Sequence, residues 1–190
     1  MSAARRQRTG FSSEPILFLL GPSGTGKSTI ARWVAEDLHF LHLEIDRYPD
    51  GDGIDLENLR EEWNAFCDGQ LHPIASELRR RVHSARCSGA VVSFPSRLVL
   101  SLGQLLAAQS IGIRSVILYG TAAECISAFI RREKESGRGL TASHWRRNNE
   151  SEYLQFSRPE FAPFRLTAFV SGEHLSRSDL IAKVKDRLAA

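Results

Sequence analysis

A continuous apolar run, Ile16–Leu20, passes without a break into Gly21-Pro22-Ser23-Gly24-Thr25-Gly26-Lys27-Ser28 and then into a segment ending near Leu38. This stretch constrains the fold more than any other. The run is apolar at every position, which suits a strand buried on both faces, as in a parallel sheet. Behind it, Ile30, Ala31, Val34, Ala35 and Leu38 recur at helical spacing. The eight residues between fit G-x-x-x-x-G-K-[ST], in the strand–loop–helix setting that the pattern requires.

The chemistry behind that pattern is specific. A phosphate chain is wrapped by backbone N–H groups, so glycines stand where side chains would obstruct it or where φ must be positive. A helix starting near Lys27 turns its unpaired N–H groups toward the phosphates. Lys27 adds a mobile cation, Ser28 a hydroxyl for Mg²⁺, and Thr29 support for the next phosphate inward. A chance Gly-rich turn would not be flanked by a strand and a helix in this order. The stretch therefore predicts nucleotide phosphate binding, with ATP and Mg²⁺ as ligands, and says nothing of the reaction.

Further strands are expected at "FLHLEI", "GAVVSF", "RSVILYG" and "RLTAFV" (Arg165–Val170), alternating with helical stretches. Residues 55–85 carry two helical stripes separated by Asp68-Gly69-Gln70; "LVLSLGQLLAAQSIG", "AAECISAFIRREKES" and "SRSDLIAKVKDRLA" supply other helices, the last opened by a capping-type serine. The expected class is α/β: a P-loop NTPase fold with a five-stranded parallel sheet, helices on both faces and an Arg-containing lid. The expected organisation is a flexible tail at 1–14 and one domain at 15–190, its lid at about 134–150. Ligands of such sheets gather at the carboxyl ends of the strands.

Composition narrows the remaining classes. Hydrophobic residues make up 42% of 190 and the net charge is +3, a balance that accepts polyanionic ligands without demanding nucleic acid. Cys67, Cys87 and Cys125 lie far apart with no CxxC pair, which reads as reduced thiols rather than a disulfide frame or structural zinc. No apolar run approaches the roughly 20 residues that span a bilayer. The basic, Ser-rich start lacks the apolar centre of a secretory signal, so the expected compartment is the cytoplasm.

Neither an N-K-x-D guanine reader nor an L-S-G-G-Q signature is present, which removes the usual GTPase and ABC-type readings. "GPSGTGKSTIARWVAEDL", a short strand with acids at its end and a late Arg-rich helix pair resemble the shikimate kinase and gluconate kinase group of P-loop phosphotransferases. The likeness follows element order from about Ile16 to Leu188 and is sharp at the phosphate loop. It implies ATP-dependent transfer of a γ-phosphoryl to a hydroxyl of a small metabolite.

By that resemblance Asp46 faces the acceptor hydroxyl, orienting it or taking its proton, and Glu44 holds a Mg²⁺-bound water. Alternation along a strand sends both to one side. Asp50, Asp52 and Asp55 nearby also allow a solvated acidic loop. Glu44 departs from the Asp usual there, and the third strand ends "SFPSR" instead of the group's glycine triplet or Cys-Ser-Ala-Leu-Lys-like run. Ser93 and Arg97 are candidates for the acceptor pocket, or else a strand end and a helix start. No Walker-B-type Asp ends that strand, which leaves metal support to Ser28, Glu44 and water.

Phosphoryl transfer loads charge onto oxygens that guanidinium groups can grip in pairs, and related kinases carry such arginines on a mobile lid. In "FIRREKESGRGLTASHWRRNN" the candidates are Arg132 and Arg138, the latter between Gly137 and Gly139. Arg158 of "SRPEF" stands in the place of the group's substrate-binding arginine, with Phe161 for its tyrosine. Arg131 and Arg132, with Glu133, Lys134 and Glu135, also fit a solvated, self-paired helical face. The interleaved acids argue against a nucleic-acid patch. By position alone, "SGEHLSRS" falls where related kinases wrap adenine. A nucleoside or nucleotide kinase and a non-catalytic, ATP-switched binding module are the two rival readings.

Overall fold

The computed structural model describes residues 14–45, 59–94 and 100–189. Asp46, Arg97 and most of the expected tail lie outside them. Strands β1 (Ile16–Leu20), β2 (Phe40–Glu44), β3 (Gly89–Ser93), β4 (Ile113–Tyr119) and β5 (Arg165–Thr167) form one sheet in the order β2-β3-β1-β4-β5. Every pairing in it is parallel. β1 lies at its centre with all five residues buried, which is why its sequence shows no polar alternation.

The helices divide between the two faces. On one face Leu17, Leu19, Val91, Val116 and Leu118 pack against α1 (Lys27–Leu38), α5 (Ala122–Glu135) and α7 (Arg177–Ala189). On the other, Ile16, Phe18, Leu20 and Val92 meet α2 (Arg60–Cys67), α3 (His72–Ala85) and α4 (Leu102–Ser110). Phe18, Phe66 and Phe94 interlock edge to face there, with centroids 6.0 and 4.9 Å apart, and Trp63 lies 5.4 Å from Phe66. Trp63 and Phe66 are therefore core residues. α6 (Ala142–Phe156) bridges the two clusters, with Trp145 in the first and Phe156 in the second. The chain thus leaves β1 toward one face and returns from β3 across the other, which opens the crevice at the carboxyl end of β1.

Two boundaries differ from expectation. α4 begins at Leu102, leaving Leu100 and Ser101 of the expected helix outside it, because Ser101 and Gln104 close a capping box: Gln104 N–H donates to Ser101 Oγ at 3.2 Å and Ser101 N–H to Gln104 Oε1 at 2.9 Å. The fifth strand stops at Thr167. Ala168 N–H still donates to Tyr119 O at 2.8 Å, but β6 (Phe169–Val170) then pairs antiparallel with β7 (Glu173–His174). Ser171 and Gly172, both at positive φ (51° and 85°), make the turn of this small hairpin. It returns the chain to the sheet's carboxyl end before α7.

Among the described residues Cys87 and Cys125 are free thiols. Cys125 is fully buried, and burial pushes its thiol up to about 12. Iodoacetamide at pH 8 is accordingly expected to spare Cys125 in the folded chain and modify it only on unfolding, as peptide mass mapping would read. Rapid native labelling of Cys125 would contradict that burial.

Candidate active site

The loop between β1 and α1 is held by donors on its carbonyls. Lys27 Nζ donates to Gly21 O (2.8 Å) and Pro22 O (3.1 Å), and Thr25 Oγ1 donates to Pro22 O at 2.7 Å. Two further donors come from far along the chain. Trp145 Nε1–H reaches Ser23 O at 3.3 Å, and His174 Nε2 lies 3.1 Å from Gly24 O. Gly26 is the N-cap of α1, and its carbonyl accepts the first helical bond from Ile30 N at 2.8 Å. Each carbonyl from Gly21 to Gly24 thus has a named donor, and a loop whose carbonyls are held in this way can turn backbone amides toward an anion.

Gly24 is where the loop touches α5. A Cβ there would lie 2.3 Å from Cys125 O and 2.9 Å from Phe129 N, so only glycine permits the approach. Ser28, in the first turn of α1, donates its hydroxyl to Glu44 Oε1 at the end of β2. Glu44 pairs in register with Ser93, and His42, on the same side of β2, has Nε2 3.0 Å from Ser93 Oγ. Ser28 and Glu44 thus present two hard oxygens side by side, the donor type Mg²⁺ prefers. Among the described residues no group of three or more His, Cys, Asp or Glu side chains forms a metal cage. Mg²⁺ characteristically needs only one or two protein oxygens when phosphates supply the others, so the pair fits that ion.

A cavity of about 540 Å³ runs from this loop to the C-terminal turn of α5. Its basic side chains are Lys27, Arg32, Arg131, Arg132 and Arg138, against the acids Glu133 and Glu135. Such an excess of positive charge in a concave site concentrates polyanions. Glu133 organises two of the arginines. It is 1% exposed, accepts from Arg132 Nε at 2.7 Å, and lies 2.8 Å from Arg138 Nε as an ion pair. The guanidinium of Arg132 also stacks over the Phe129 ring at 5.4 Å. The helical face read as solvated and self-paired is therefore buried at its central carboxylate, while the two arginine side chains stay about half exposed, at 51% and 43%.

The expected phosphate-loop residues Gly21, Pro22, Ser23, Gly24, Thr25, Gly26, Lys27, Ser28 and Thr29 run from the end of β1 into the first turn of α1. Ser23, Gly24, Gly26, Lys27, Ser28 and Thr29 line the cavity, and Arg132 and Arg138 face them across it. Arg158 stands apart: its side chain is 65% exposed, its guanidinium lies 3.8 Å from Glu160, and it does not line the cavity. Asp46 and Arg97 lie outside the described residues. Trp145, inside the segment expected as a lid, is 2% exposed and bonded to the loop, whereas Arg146 and Arg147 are exposed.

Besides Trp145, three contributors were not read from the sequence. Arg32 follows Ser28 by one helical turn, a spacing that shows it on the loop side of α1. Glu133 gave no signal of its burial. His174 comes from the hairpin in the segment where adenine was expected, 150 residues from the carbonyl it meets. Burial holds its imidazole below the ordinary histidine value, the bond to Gly24 working in the opposite direction.

The chain is similar in structure to a gluconokinase from Sinorhizobium meliloti 1021, at 18% identity over 93% of each chain with a TM-score of 0.51. A shikimate kinase from Acinetobacter baumannii, solved in complex with shikimate, aligns at 16% identity over 94% of this chain and 95% of that one, with a TM-score of 0.48. No protein-family model and no curated protein matches the chain by sequence. The first likeness shows the fold: this is the P-loop small-molecule kinase fold, with the glycine-rich loop at the end of the central strand. Among the described residues no helix is long and apolar enough to cross a membrane.

Proposed function

We propose that the chain is a phosphotransferase that moves the γ-phosphoryl of MgATP to a hydroxyl of a small metabolite. One observation carries this reading: a cavity with an amide loop, Lys27 and the Ser28–Glu44 pair at one end has Arg131, Arg132 and Arg138 at the other. A triphosphate is a ligand whose charge suits both ends.

In this mechanism the loop amides and the N-terminus of α1 bind the β- and γ-phosphates, and Lys27 exchanges its carbonyl partners for phosphate oxygens. Ser28 and Glu44 would hold Mg²⁺, directly or through water, which supplies neutralisation of the phosphate charge. Asp46 orients the acceptor hydroxyl and takes its proton as that oxygen attacks the γ-phosphorus. The bond from the γ-phosphorus to the β–γ bridging oxygen breaks, and ADP carries the electron pair away. Arg132 and Arg138, aimed by the buried Glu133, stabilise charge on the oxygens in transit. Arg97 is proposed on the acceptor side.

The test is calorimetry with MgATP followed by ADP release across a panel of sugars, sugar acids, hydroxy acids and nucleosides. Asp46→Asn is expected to bind MgATP like the parent and to lose acceptor-dependent ADP release by about 100-fold or more, the range of a general base. Unchanged turnover in that variant removes Asp46 from the role. MgATP binding with no acceptor-stimulated release across the panel would instead favour a nucleotide-switched binding module, and absence of MgATP binding would end the reading.

A further inference from the structure

Why does the C-terminal hairpin reach back to a loop that precedes it by 150 residues? The β6–β7 hairpin is fixed on three sides. Ala168 N–H is bonded to Tyr119 O at 2.8 Å, and Leu175 N–H to Ala168 O at 2.9 Å, so its base is clamped to the end of β4. Glu173 pairs with Arg131 of α5 at 3.2 Å. The His174 ring packs on Phe169, with centroids 4.3 Å apart and planes tilted by 32°. From this mount Nε2 stands 3.1 Å from Gly24 O. A carbonyl oxygen can only accept, so Nε2 carries the proton.

A trans peptide unit is planar and holds its C=O and the following N–H in opposite directions. Whatever fixes the Gly24 carbonyl therefore fixes the direction of the Thr25 amide. Among the described residues that amide reaches Pro22 O across the loop at 3.4 Å, a long and weak bond. Gly24 itself offers little resistance to rotation, since glycine lacks the side chain that restricts other residues. The donor on its carbonyl has to be supplied from outside the motif.

We propose that His174 is a positioning residue of the phosphate loop, which holds the Gly24 peptide in the orientation that turns the next amide toward a bound phosphate. The proposal rests on the nucleotide-binding reading above. It gives the hairpin a task at the loop in addition to any contact with the base. His174 acts through the loop and needs no contact with the ligand.

The experiment uses the full chain, with MgATP as the probe in calorimetry. His174→Phe keeps a ring against Phe169 and removes the donor; His174→Gln places an amide N–H near the Nε2 position. Loss of one hydrogen bond predicts MgATP binding weaker by about 3- to 10-fold in His174→Phe. His174→Gln should return to within about twofold of the parent, a rescue that a purely structural role of the ring would not give. Parental affinity in His174→Phe overturns the proposal, as does a His174→Gln variant no better than His174→Phe. Should His174→Phe fail to fold, His174→Asn, whose amide is too short to reach, serves against His174→Gln with the same two outcomes. A parent chain that binds no MgATP at all defeats the nucleotide reading itself, a result distinct from equal binding by parent and variant.

Discussion

Gly24→Ala is expected to lower stability by about 3–5 kcal/mol, the sum of a left-handed backbone penalty and an overpacking penalty. Its φ is 88°, a region that costs a residue bearing Cβ about 1 kcal/mol or more. The larger part comes from α5. The new methyl would stand 2.3 Å from Cys125 O and 2.9 Å from Phe129 N, both backbone atoms inside a helix. Neither can swing aside like the end of a flexible side chain, so the loop and α5 must separate. Gly137 provides the control, because its φ is 72° yet nothing lies within 4 Å of an added Cβ. Gly137→Ala should lose only about 1 kcal/mol. Urea denaturation of both variants reads the difference, and equal losses would show that conformation, not contact, dominates at Gly24. MgATP binding should fail in Gly24→Ala even under conditions where the variant stays folded, since a loop displaced from α5 no longer faces Arg132 and Arg138.

Lys27→Ala should leave the fold intact and remove the activity. Stabilisation of charge on a migrating phosphoryl group by one positioned cation or donor commonly contributes about 10²–10³ in turnover, and a loss of that size is expected here. MgATP affinity should fall as well, because Lys27 both supplies charge to the cavity and ties Gly21 O and Pro22 O together. Lys27→Arg is not expected to rescue. A guanidinium is planar and wider than an ammonium, and cannot place a single compact charge inside the loop. Calorimetry and ADP release on the three proteins separate the two losses. Parental MgATP affinity and turnover in Lys27→Ala would refute the role of the loop as a phosphate site.

How much of this was readable without coordinates follows from how far apart the interacting residues are. β1, the loop and α1 are one contiguous stretch, so the apolar run, the glycines and the helical spacing each announce themselves. The Asp68-Gly69-Gln70 break between α2 and α3 was legible for the same reason: Gly69 sits at φ 85° in the turn itself. The end of β5 was not. Arg165–Val170 looks like one strand because the alternation of Leu166, Ala168 and apolar Val170 continues past Thr167. Only pairing with Glu173–His174 draws Phe169 and Val170 away.

Within the site the division is similar. Glu133 sits between basic neighbours, as a surface carboxylate does, and nothing local distinguishes a solvated acid from one that is 1% exposed. Arg158 and Arg132 look alike in sequence, yet one lies beside Glu160 at the surface and the other lines the cavity. Trp145 and His174 became visible at the loop only once α6 and the hairpin had been placed around it.

The support of the loop has a consequence for how the chain matures. The motif is complete by residue 28, but donors to its Ser23 and Gly24 carbonyls are supplied by Trp145 and His174. During synthesis, which runs from the N-terminus, the first half emerges with every motif glycine in place and two of its braces still unmade. Both braces are therefore in place only after residue 174 has been made and the hairpin has docked beside the loop.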